Sequence, residues 1–432
     1  MDVVDTGNTA WLLISSALVL LMTPGLAFFY GGMVRAKSVL NMMMMSFVAI
    51  AAVTIIWVAY GYSIAYGNDI GLLFGDLSLV GLSDLLFDES AGYPAMADVA
   101  FQAMFAIITV ALISGAIADR AKFGAWIVFA VVWATLVYFP VAHWVWGGGW
   151  VGEIGALDFA GGTAVHINAG AAALALTFVL GKRRGWPKEQ MRPHNLPFVL
   201  LGAGLLWFGW FGFNAGSAYA ADNTAAIAFL NTQVATAAAV IGWLVLERLR
   251  DGHATSLGAA SGAVAGLVAI TPACAYVDVW GAMAIGLAAG LLCAGAVTLK
   301  YKLGYDDSLD VVGVHMVGGL VGSLLIGLFA RAALSDGEAG LFNGGGLSLL
   351  GIQAVASFGV LAYSLVMSYI IGMAIDKTMG FRVDAEEESE GIDAGEHAET
   401  AYDFSQLGGG GGIGGSSAPL QRKAAESGKV EA

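Results

Sequence analysis

Runs of apolar residues long enough to cross a bilayer recur along this chain, and nothing else in it restricts the fold so tightly. Read at about 20 residues per span, eleven fall at roughly 9–33, 39–66, 97–119, 124–146, 163–181, 196–218, 226–248, 257–274, 279–300, 312–332 and 347–375. Hydrocarbon offers the backbone no hydrogen-bond partner, so each span must satisfy its own amides as a helix. The expected class is an all-α polytopic membrane protein. Composition agrees, with 58% hydrophobic and 12% charged residues, where a soluble domain carries about a quarter charged. The 61 glycines suit close approach between helices in lipid.

Basic residues set the orientation, because cytoplasmic loops collect Lys and Arg. With the N-terminus outside, the loops holding Arg35/Lys37, Arg120/Lys122, Lys182–Arg192, Arg248/Arg250 and Lys300/Lys302 are cytoplasmic, as is the tail. Only Arg331, of the 19 basic residues, then lies outside. The expectation is N-out and C-in. The first ten residues, MDVVDTGNTA, hold two acids and no base, so no cleaved signal peptide is expected. The chain divides into a transmembrane part, 1–375, a cytoplasmic tail, 376–403, and a Gly-rich end, 404–432, expected to be disordered. Residues 376–432 carry half of the net charge of −14, so the acidity belongs to the tail, and no nucleic-acid partner is expected. Cys274 and Cys293 sit in apolar segments and read as buried hydrophobes rather than a disulfide framework.

Two segments share a local pattern. Residues 158–170 read DFAGGTAVHINAG and 310–319 read DVVGVHMVGG, each with an Asp, a Gly-containing stretch, a His, and a Gly four residues after the His. They lie on the fifth and tenth spans, which run in opposite directions. The two halves, about 9–181 and 196–332, are therefore expected to form inverted five-helix repeats, with 347–375 as an added eleventh helix. Such repeats place substrate sites near the midplane. His166 lies about 12 Å along its helix from Asp158, and His315 about 13 Å from Asp306, so in a core of about 30 Å the imidazoles should meet. A lone membrane His is often a packing hydrogen bonder. His143, His194, His253 and His397 fall near helix ends or in cytoplasmic regions, whereas His166 and His315 are both deep and matched, which points to a substrate or proton path.

The topology puts a second set of residues above them. Trp146 ends the fourth span on the outer side, Ser217 ends the sixth, Phe213 lies one turn below Ser217, and Phe105 lies two turns into the third span. Taken singly, each is as well explained by packing or an interfacial aromatic belt. Layered over two deep histidines, they suit a small cation: aromatic faces and a hydroxyl to attract it, an apolar constriction that a hydrated ion crosses only at high cost, then imidazoles able to bond a neutral amine or relay a proton. Asp158, at the head of its helix, is expected mainly to cap it and secondarily to add negative field at the mouth.

The passages FQAMFAIITVALISGAIADR, WGGGWVGEIGALDFAGGTAVHINAGAA, PHNLPFVLLGAGLLWFGWFGFNAGSA, AITPACAYV and DVVGVHMVGG closely resemble the Amt/Rh ammonium transport family, its bacterial Amt branch in particular, over residues of about 9 to 402. The resemblance implies a homotrimer in the plasma membrane with one pore per eleven-helix subunit, moving ammonium or methylammonium without a cofactor or metal. It further implies that Trp146, Phe105 and Ser217 recruit ammonium, that Phe105 and Phe213 form a stacked gate, and that His166, His315 and Trp210 line the pore. Asp158 and Asp310 take structural or electrostatic roles. In the tail, Gly380, Arg382, Gly391, Asp393, His397, Glu399 and Tyr402 match a regulatory segment, implying contact with a neighbouring subunit and with a PII-type signal protein. Rival readings are a sensor on the same fold, for which no added output domain is visible, and a channel for a neutral solute such as urea or carbon dioxide, which would gain little from an aromatic rim. No metal cluster, nucleophile–base pair or phosphate loop suggests an enzyme.

Overall fold

The computed structural model describes residues 4–403; the Gly-rich end expected to be disordered lies outside them. Among the described residues ten helices are long and apolar enough to cross a membrane. These are α1 (Thr6–Met33), α2 (Val39–Tyr66), α3 (Ala95–Ile117), α4 (Phe123–Glu153), α5 (Gly162–Leu180), α6 (Leu196–Gly216) and α7 (Asn223–Asp251), then α9 (Val279–Leu303), α10 (Val312–Phe329) and α11 (Ser348–Met379). Between α7 and α9 lies α8 (Ser256–Ile270), apolar but only 15 residues long. It stops short of the expected residue 274 because Pro272, which lacks an amide proton, follows at once and the chain turns. Conversely α7 outruns its apolar run at both ends. Asp222 caps it by accepting from the Ala225 amide, and Gly252 closes it at φ 82°.

Small residues let the helices touch backbone to backbone. A Cβ on Gly202 of α6 would fall 2.2 Å from the Phe29 nitrogen of α1, and one on Gly286 of α9 would fall 2.1 Å from the Ala235 oxygen of α7. No other residue fits either place. On the outside the pattern reverses, and large apolar side chains such as Ile55, Ile241 and Val355 stay mostly exposed, as a lipid-facing surface requires. The most enclosed spans are α3 and α5.

Among the described residues four spans contain a π-helical turn: Trp57–Gly61 in α2, Ala134–Tyr138 in α4, Gly162–Ile167 opening α5 and Val312–Met316 opening α10. The last two carry His166 and His315. Beyond α11 the tail forms two short helices, α12 (Ala385–Glu390) and α13 (Ile392–His397), packed on the loops at its end of the bundle.

Candidate functional site

The site is built from the heads of α5 and α10. At the first, the Asp158 carboxylate accepts hydrogen bonds from the amides of Gly161, Gly162, Thr163 and Ala164 at 2.8, 2.7, 2.7 and 3.2 Å. Four amides that a helix start leaves unpaired are thereby satisfied, as capping chemistry predicts. At the second head the acid in that role is Asp307, which accepts from Val311 at 3.1 Å and Val312 at 2.7 Å. This corrects the sequence pairing of Asp158 with Asp310. The Asp310 carboxylate instead meets the Lys300 ammonium at 2.7 Å. Asp306, the origin chosen for the depth of His315, is held by Arg183 at 2.9 Å. Burial opposes its charge, but the Arg183 hydrogen bonds outweigh that and keep its carboxyl below the usual range. The signal for Asp307 was present in the spacing, since His166 follows Asp158 by eight residues and His315 follows Asp307 by the same number.

The glycines of the two segments explain how the heads meet. A Cβ on Gly170 would lie 2.5 Å from the Met316 Cβ, and one on Gly319 would lie 3.1 Å from the Ile167 nitrogen. Each glycine, four residues after its own histidine, makes room for the residue that follows the other histidine. The imidazoles are consequently brought together, with Nδ1 facing Nδ1 at 3.2 Å and ring centroids 5.3 Å apart. Both are buried, and His166 Nε2 has no hydrogen-bond partner among the described residues. Since the facing atoms are the same nitrogen of each ring, one must carry the proton and the other accept it.

From this pair an aromatic series leads to one mouth. Trp210 stacks on His166 at 5.4 Å, held by its indole N–H donating to the Thr271 hydroxyl at 2.8 Å. Phe213 lies 6.1 Å from His166, Phe105 stacks on Phe213 at 4.1 Å and 27°, and Trp146 meets Phe105 edge-on at 6.1 Å. The Trp146 indole donates to the Asp158 carbonyl at 3.0 Å, and Ser217 donates its hydroxyl proton to the Phe213 carbonyl at 2.9 Å. Trp146, Phe105, Ser217 and Asp158 all line a cavity of about 480 Å³. Beneath the phenyl pair a space of only about 10 Å³ is lined by Phe213, His166 and His315 and walled by residues such as Leu26, Ile108 and Val264. At the tail end a cavity of about 320 Å³ opens between Arg183, Lys300 and Asp310. The structure thus gathers every pore residue expected from the sequence; Thr271 and Asp307 are added by it.

The model of the Ammonium Transporter Family matches residues 10–402. The chain belongs to that family. An ammonium transporter of Mycobacterium tuberculosis strain H37Rv is 60% identical, over 94% of this chain and 92% of its own. The ammonium transporter Amt1 of Archaeoglobus fulgidus is 45% identical, over 92% of this chain and 99% of its own. The crystal structure of Candida albicans Mep2 superposes with a TM-score of 0.83 at 35% identity, covering 89% of this chain and 87% of that one. A structure described as a Sensor Amt Protein gives 0.85 at 29% identity, over 90% of this chain and 98% of that one. As a member of the ammonium transporter family with ten long apolar helices, the chain is a multi-pass membrane protein.

Away from the histidine pair, the tail residues matched to the family form their own cluster. Gly380, at φ 73°, ends α11. Arg382 then donates to the carbonyls of Leu180 and Lys182, both at 2.8 Å, and pairs with Glu388, so that it caps the end of α5. Gly391, at φ 128°, passes so close to Lys37 that a Cβ would fall 2.7 Å from that residue's own. The Asp393 carboxylate accepts from the amides of Leu40 and Asn41 at 3.0 and 2.9 Å, supplying α2 with the cap that Ser38 does not. His397 bonds Asn41 at 3.0 Å, and Tyr402 bonds His194 at 2.8 Å. Glu399 and Tyr402 line a cavity of about 220 Å³ with Lys37 and Asp393.

Proposed function

We propose that this chain moves ammonium across the plasma membrane along one path per subunit, running from the Trp146 mouth to the Asp310 mouth. The observation that carries the reading is the unbroken order of Trp146, the Phe105–Phe213 stack and the His166–His315 pair. Ammonium is recruited between the faces of Trp146 and Phe105, where cation–π attraction is worth about 0.5–2 kcal/mol. Ser217 suits the same task because its proton is committed to Phe213, leaving its oxygen to accept an ammonium N–H. The phenyl pair is the gate. A space of about 10 Å³ holds roughly one water-sized group, so the substrate leaves its hydration shell at the phenyl rings. Beyond them the imidazoles bond the amine or carry its proton, with Trp210 fixing the ring of His166.

The accompanying architecture is eleven spans, α8 being the short one, with the N-terminus outside and the tail in the cytoplasm. The bias of Lys and Arg supports that orientation. Reciprocal contacts at Gly170 and Gly319, and the matched caps of Asp158 and Asp307, support inverted repeats with an added α11. The domain reading is a transmembrane unit, a tail of 376–403 and a separate Gly-rich end. Membership of the family supports a homotrimer. Its tail, docked through Arg382, Asp393, His397 and Tyr402, is the surface a PII-type signal protein would address.

The test is flux into liposomes containing the purified protein. Wild type is expected to give a saturable ammonium- or methylammonium-dependent flux, and His166→Ala with His315→Ala to lose or alter it strongly. No flux from wild type, or flux indifferent to both substitutions, sinks the reading; urea as competitor should be without effect.

A further inference from the structure

The cavity at the Trp146 mouth is far larger than one ammonium ion needs and reaches well beyond Trp146. Along α3, Asp98, Gln102 and Phe105 follow at spacings of four and three residues, which puts them on one face. Asp98 therefore stands about 10 Å further out than the phenyl gate. All three line the cavity, and none of its lining residues is basic.

Its two carboxylates are in different states. Both oxygens of Asp158 are taken by backbone amides. Asp98 accepts one hydroxyl on each oxygen, from Tyr62 at 2.6 Å and Tyr219 at 2.8 Å. A carboxylate has about four acceptor positions, so Asp98 keeps unused capacity, and no ion pair engages it among the described residues. Beside it Gln102 is only 7% exposed and donates to the Tyr219 hydroxyl at 2.6 Å, while its Oε1 has no partner. The Tyr66 hydroxyl in the same cavity is likewise unpartnered. Tyr219, which joins Asp98 to Gln102, is held at φ 57°, and Tyr93 packs on its ring at 5.6 Å. Buried acceptors left open cost free energy unless something fills them, and strained residues cluster where a ligand is clamped.

We propose that Asp98, Gln102 and Tyr66 form a second cation site, which holds ammonium ahead of Trp146, Phe105 and Ser217. It rests on the Trp146 mouth being the side of uptake. Its ligand is a small monovalent cation with several N–H donors, for which a charge, an amide oxygen and tyrosine hydroxyls and faces are suitable partners. Asp98 sets how much substrate waits at the gate, leaving the rate beyond the gate to other residues.

Ammonium-evoked current in proteoliposomes tests this against concentration. Asp98→Asn is expected to raise the half-saturating concentration roughly tenfold, the worth of a charged hydrogen bond, with the maximal current within about twofold of wild type. Asp98→Glu should recover most of the loss. Gln102→Leu should raise half-saturation about threefold, and Asp84→Asn, an exposed acid in the loop before α3, should change nothing. A wild type without current removes the transport reading and this site with it. Wild-type current with half-saturation unchanged in Asp98→Asn removes the site alone. If Asp98→Asn does not fold, an unchanged Gln102→Leu has the same effect. Potassium that competes in wild type, but no longer in Asp98→Asn, would make the site one for monovalent cations at large and overturn its assignment to ammonium.

Discussion

At the scale of single residues, the meeting of the two histidines depends on two carboxylates at the heads of their helices. Asp158 and Asp307 take up the free amides at the heads of α5 and α10, and so fix the turns from which His166 and His315 project. They serve unequal numbers of amides, four against two, and the losses should rank the same way. Asp158→Ala should cost about 3 kcal/mol or more, at roughly 1–3 kcal/mol for each buried group left unpaired, and Asp307→Ala should cost less. Thermal unfolding midpoints of the two variants in detergent check the order; equal midpoints would contradict it. The histidines and phenylalanines were legible in the sequence because chemistry-bearing residue types stood at matched depths, whereas Trp210 came from the family resemblance alone. Asp307 was passed over although its eight-residue spacing to His315 matches that of Asp158 to His166, because three acids crowd residues 306–310 and the backbone shows which one turns to the helix head. Asp98 was missed for a related reason, since an acid at the start of a membrane helix reads as interfacial until tyrosine hydroxyls from distant segments are seen to converge on it.

At the scale of helices, apolar length alone located the spans, and the departures came from polar caps and from proline. Asp222 and Gly252 extend α7 beyond its apolar run, and Pro272 cuts α8 short. The histidine contact is as much a property of two helix backbones as of two side chains. Gly170→Val should force α5 off α10 at Met316, with overpacking costs of about 1–3 kcal/mol or more, and abolish flux while both histidines remain. Gly204→Ala, where a Cβ meets nothing within 4 Å, should leave flux and stability unharmed. Stability and flux measured on both variants separate a packing requirement from a general intolerance of substituted glycine. The cap that Asp393 gives to α2 could not be read in advance, because its partners lie about 350 positions away in the chain.

At the scale of the whole molecule, the chain is a helical bundle hollowed from both ends, with its tail laid across one of them. Class and helix order followed from hydropathy, whereas the shape of the hollow did not, since it depends on which side chains stop short of filling space. Two cavities, of about 480 and 320 Å³, lie toward opposite ends of the bundle, and a space of only about 10 Å³ is lined by the two histidines. On the proposed path, water and ions in the wide parts would conduct well, so the membrane potential would fall mainly over the short stretch between the phenyl pair and the far histidine. A charge loading beside Trp146 then feels little of the field, whereas one crossing the stretch works against about 2.3 kcal/mol per 100 mV. Where transport carries current, the maximal current should therefore steepen with voltage while the half-saturating ammonium concentration scarcely moves. Voltage-clamped bilayers read both quantities, and a half-saturation that tracks voltage would place the field elsewhere. On the proposed path the narrow waist would act as an electrical lens, concentrating a potential spread over the bilayer onto the few ångströms where ammonium would part with water.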